Sequence, residues 1–99
     1  MTQSDSIGGT GWAGLPGSEL ILEGLRDLAA GERTIASTLV EIGSPRLRSL
    51  GIAIPPTAAS PEHRLYALLA EQAPDTAHGR YNALVRRLVS FERALACVR

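Results

Sequence analysis

Several kinds of residue are scarce in these 99 residues, and each scarcity removes a class of explanation. There is one cysteine, Cys97, so neither an intramolecular disulfide nor a cysteine-rich zinc site is available. There is no lysine, and every basic side chain other than histidine is arginine. A GC-rich coding bias accounts for that as readily as a need for planar, bidentate contacts to carboxylate or phosphate. Only four residues are aromatic, namely Trp12, Tyr66, Tyr81 and Phe91, so the core must be aliphatic. No apolar run approaches the ~18 residues that a membrane span needs. No basic segment leads into an apolar stretch at the N-terminus, so no secretory signal is read and the expected location is cytoplasmic.

What is present favours helix. Leu, Ala, Arg and Glu are abundant, and strand formers are thin and scattered. The apolar fraction of 44% belongs to a folded chain of one domain. The net charge is zero but unevenly spread. Residues 1–45 hold two arginines against six acids, a balance of −4, and residues 46–99 hold eight arginines against four acids, a balance of +4.

Punctuation divides the chain into a glycine-rich leader, residues 1–17, and a helical domain, residues 18–99. The leader holds five glycines with no helical period, which reads as flexible. Ser18 is the expected cap of a first helix, with Ile21, Leu25 and Leu28 as its stripe and Gly31 as its stop. Gly24 sits within it, at a position that permits close approach of another helix. A second helix begins at Thr34, carries Ile35, Leu39 and Ile42, and ends at Gly43. Ser44 and Pro45 resemble the start of a short third helix that closes at Gly51. Ile52 and Ile54 alternate in an extended connector held by the adjacent prolines 55 and 56. Ser60 and Pro61 open a fourth helix with Leu65, Leu68 and Leu69 inward and Tyr66 at the edge, and Pro74 closes it.

The last helix starts at Asp75 or Thr76 and runs almost to Arg99. Its apolar residues Ala77, Tyr81, Leu84, Leu88, Phe91, Leu95 and Val98 step by 4, 3, 4, 3, 4 and 3. That is a heptad seam, fit to pack within this bundle or against a second copy. The expected fold is all-α: a compact bundle of four main helices plus one short helix, organised by the last helix.

No catalytic constellation emerges. His63 and His78 are separated by 15 residues, without the spacing of a helical metal pair. Cys97 has arginines nearby, but a helix C-terminus opposes a thiolate. The leader glycines form no phosphate-binding loop, and no GxSxG elbow is present. The expectation is a non-enzyme with no catalytic residues, no metal and no cofactor.

Two binding readings remain. The first is a protein–protein interaction or regulatory module, homodimeric through the last helix in its most specific form. Tyr81, Leu88, Phe91 and Leu95 are its candidate interface if the seam is shared. Trp12, alone among glycines, either anchors a partner or folds back onto the bundle. The second is a nucleic-acid-binding regulator using Arg46, Arg48, Arg86, Arg87 and Arg93, with the Thr34–Ile52 segment as a poor helix-turn-helix candidate. Against it, the neutral total charge is unusual for such domains, and the same arginines are equally suited to pairing with Glu19, Glu23 and Asp27. No membrane partner is expected.

Overall fold

The computed structural model describes residues 12–55 and 60–98. What the sequence suggested for residues 1–11, including the flexibility of that part of the leader, and for residues 56–59 and 99 lies outside the described residues. The fold is the expected all-α bundle of four main helices: α1 (Ser18–Ala29), α2 (Ile35–Ser49), α3 (Pro61–Gln72) and α4 (Ala77–Val98). A 3-10 turn, Pro74–Thr76, leads into α4.

Local chemistry explains most helix ends. Gly31 takes a φ of 76° after α1, and the Gly31 and Glu32 amides donate to the Leu28 and Asp27 carbonyls. This Schellman arrangement uses two carbonyls the helix would otherwise leave bare. Thr34 caps α2 reciprocally with Ser37, each side chain accepting from the other's backbone amide at 3.1 and 2.8 Å. Thr34 Oγ1 also donates to Asp27 Oδ2 at 2.6 Å, tying the end of α1 to the start of α2. Gly51, with φ 96°, closes α2 by the same device as Gly31, and Ile52 N donates to Leu47 O. At α1 the cap differs from expectation: Gly17 in a left-handed conformation is the N-cap, and Ser18 is already helical. The Ser18 hydroxyl turns back to the Ala13 carbonyl instead of capping the helix.

The larger departure is at Gly43-Ser44-Pro45. The two helices expected there are one, α2, and Pro45 lies in its interior. A proline at that place cannot donate to the Glu41 carbonyl and crowds it, a cost of about 3 kcal/mol. Continuity of burial opposes that cost. Ala36, Gly43 and Leu50 recur at sevens, as do Val40 and Leu47, so two inward rows run unbroken past Pro45, which itself faces solvent. The helix-turn-helix reading of Thr34–Ile52 falls with this, because there is no turn.

The organising element is therefore α2 and not the last helix. It buries nine residues against four for α4, and it packs against α1, α3 and α4. Its buried hydroxyls are satisfied locally, Ser37 and Thr38 both donating to the Thr34 carbonyl. Gly24 does permit the close contact with α2: a Cβ there would lie 2.4 Å from the Ala36 carbonyl oxygen and 2.5 Å from Val40 Cγ2. Ile52 and Ile54 are buried, and Arg48 holds that connector by donating to the Ile54 and Pro55 carbonyls.

Two substitutions test these statements. Gly24→Ala improves intrinsic helix propensity by about 1 kcal/mol, yet it should destabilise the protein by about 1–3 kcal/mol through overpacking against Ala36 backbone. A rise in the urea midpoint would contradict the packing. Pro45→Ala should stabilise by about 1–3 kcal/mol, the regained helical bond outweighing the loosened unfolded chain. A loss of stability would show that the bundle needs the proline geometry.

Candidate interaction surface

The heptad seam of α4 is used inside the chain for most of its length. Leu88, Phe91 and Leu95 are buried, and Tyr81 and Leu84 are half-buried against the same core. Only Val98 at the far end stands out, 62% exposed. Of the candidate interface residues, three are thus core residues of the single chain, and Tyr81 alone on α4 reaches the surface.

Trp12 folds back onto the bundle. Its ring meets Phe91 edge-on, with centroids 5.2 Å apart and planes at 78°. Residues 12–17 form a strap that makes this contact. Leu15 N donates to the Trp12 carbonyl, and Gly17, at φ 79°, lies where a Cβ would be 3.0 Å from the Arg87 carbonyl oxygen. An ion pair between Arg87 and Glu19 fastens α1 to α4 beside the strap.

Tyr66, which the sequence placed only at the edge of its helix, pairs with Tyr81. The ring centroids lie 6.0 Å apart and Tyr66 is 41% exposed. Beyond Tyr81, steps of four along α4 reach Val85 and Val89, both half-buried. Nothing in the residue pattern points to the aromatic pair, because the rings come from different helices and neither belongs to a recognisable motif.

The arginines named as nucleic-acid contacts are not brought into one set. Arg48 is committed to the Ile54 and Pro55 carbonyls and Arg87 to Glu19. Outside that set, Arg80 Nη1 donates to Gln72 Oε1 at 2.9 Å. Arg46, Arg86 and Arg93 remain exposed. A further arginine, Arg64 on α3, forms an ion pair with the buried Glu41 of α2, Nη2 to Oε1 at 2.9 Å. Neither its Nε nor its Nη2 makes a well-aligned hydrogen bond. The pair links α3 to α2, and removing either partner would strand the other's charge.

Glu92 is the one carboxylate of α4, and it is turned toward α2. A Cβ on Gly43 would lie 3.0 Å from its Oε2. Burial raises its carboxyl above the ordinary value, and the Arg46 charge pulls only partly the other way.

His63, His78 and Cys97 are all exposed. His78 Nε2 lies 3.3 Å from Asn82 Nδ2. Among the described residues no three His, Cys, Asp or Glu side chains gather as a metal site. A pocket of about 130 Å³ lies between Leu28, Gly31, Glu32, Arg33, Ser37 and Glu41. Its Ser37 hydroxyl serves the α2 cap and its Glu41 serves Arg64. Among the described residues no helix is long and apolar enough to cross a membrane. No protein family, no curated protein and no solved structure matches the chain.

The state of Glu92 gives a signed prediction. Its folded pKa is raised, so the folded protein binds that proton more tightly than the unfolded chain does. Glu92 thus favours folding most below its ordinary pKa, and the advantage is lost as pH rises through the raised value. Glu92→Gln should raise thermal stability near pH 7 by more than it does near pH 4. An unchanged pH profile would remove Glu92 from the account.

Proposed function

We propose that this chain is a non-catalytic helical interaction module that binds a protein partner, a second copy of itself included, where α3 and α4 meet. The observation that carries the reading is the Tyr66–Tyr81 pair: two large amphipathic rings side by side at the surface, each held on a helix. Tyrosine on rigid backbone supplies contact area at small entropic cost and is enriched among residues that dominate interface energies. Val85 and Val89 extend that surface along α4.

The nucleic-acid reading has thinner support. Two of its five arginines are engaged within the chain, and the rest share the surface with half-buried valines.

Light scattering over a dilution series, for a second copy, and calorimetric titration with an amphipathic helical peptide, for a different partner, each repeated on the double variant Tyr66→Ala and Tyr81→Ala, test the proposal. Association should weaken about tenfold or more in the variant while helicity by circular dichroism stays the same. Association indifferent to both tyrosines would sink the assignment to this surface.

A further inference from the structure

We propose that the strip of α4 running from Tyr81 through Val85 and Val89, edged by Arg86 and Arg93, docks an acidic amphipathic helix of a partner protein. This rests on the interaction reading and names the chemistry of the partner.

The strip combines two features. Tyr81, Val85 and Val89 follow one another at steps of four, so they form one ridge of a helix surface. All three are only half-buried, although every one is apolar for most of its area. Beside this ridge stand Arg86 and Arg93, exposed and seven residues apart, which is about 10.5 Å along a helix. Among the described residues neither has a hydrogen-bond or ion-pair partner, whereas Arg48, Arg64, Arg80 and Arg87 each have one. At the inner margin the charge of Arg46 on α2 is offset by Glu92. Glu92 is the only acid on α4, and it packs against Gly43 instead of joining the outer face. The outer face of α4 therefore carries one sign of charge. Between Arg86 and Arg93 along the helix stands the small, exposed Ser90.

Charge and apolarity together select the occupant. On this strip a second copy is disfavoured, since antiparallel pairing of two such faces centred between Val89 and Ser90 sets Arg86 of one against Arg93 of the other. A parallel pairing sets like arginines together as well. A phosphate backbone satisfies the arginines but offers no apolar surface to cover Val85 and Val89. A helix with carboxylates at seven-residue spacing beside an apolar stripe satisfies both.

The probe is a synthetic three-heptad peptide with glutamates flanking a Leu/Ala stripe. It is compared with its glutamine counterpart and with a short duplex DNA, by titration calorimetry at low and high salt. The acidic peptide should bind at least about tenfold more tightly than the glutamine peptide, with affinity falling as salt rises. The double variant Arg86→Gln and Arg93→Gln should lose that advantage, and Val89→Ser should weaken binding of both peptides. Circular dichroism checks that each variant is folded. Equal affinity for the two peptides, indifference to the arginine variant, or tighter binding of the duplex would each overturn the proposal. Tyrosine-dependent association that is insensitive to salt and to Arg86 and Arg93 would remove the acidic partner and leave the broader reading intact. Acidic-peptide binding that survives loss of both tyrosines but needs Val89, Arg86 and Arg93 would remove the tyrosine pair as the contact and confine the docking site to the arginine-edged valines.

Discussion

At Gly24 the backbones of α1 and α2 lie so close that a single methyl group would strike the Ala36 carbonyl. At Gly43 the side chains of Leu88 and Glu92 fill the space a methyl would take, so α4 nests against α2 two turns further along the Ala36 row. The first limit is hard, because backbone cannot move aside. The second is softer, because two flexible side chains form the wall. With α3 joined to α2 through Arg64 and Glu41, the central helix is enclosed on three sides. This explains how a chain with four aromatic residues closes a core: short distances between axes replace bulky side chains.

That enclosure decides which surfaces are left for binding. It draws Leu88, Phe91 and Leu95 inward and consumes the stripe of α4 that best resembles an association seam. It also turns the one acid of α4 toward α2 and leaves the outer side of that helix with arginine, valine and small residues. The interaction surface proposed for α4 is thus a by-product of how its inner side is spent.

The sequence was most informative where the physics is local. Gly31, Thr34 and Gly51 announce their helix ends because a left-handed residue or a capping hydroxyl is required within a few positions. The period of α4 is legible for the same reason. Pro45 misleads because a Ser-Pro pair looks the same at a helix start as inside a helix. What separates the two cases is the unbroken rows from Ala36 to Leu50 and from Val40 to Leu47, and those count only against neighbours distant in sequence. The surface was less legible still. A heptad seam does not say whose core it meets, and nothing near Tyr81 in sequence points to Tyr66. Arg48 and Arg87 look as free as Arg86 and Arg93 until the Ile54 carbonyl and Glu19 appear beside them.

The strap at Trp12 has a consequence for the order of folding. Its partners Phe91 and Arg87 lie near the far end of the chain, Glu19 and the arginine it holds being 68 positions apart. A contact so remote in sequence carries a large loop-closure cost and forms late. The α1–α2 hairpin, by contrast, has its Schellman turn, its capping box and the Gly24 contact within one short stretch. The side of α2 around Gly43 is covered instead by Leu88 and Glu92 of the last helix. The strap is fastened down only once α4 supplies Phe91 and Arg87.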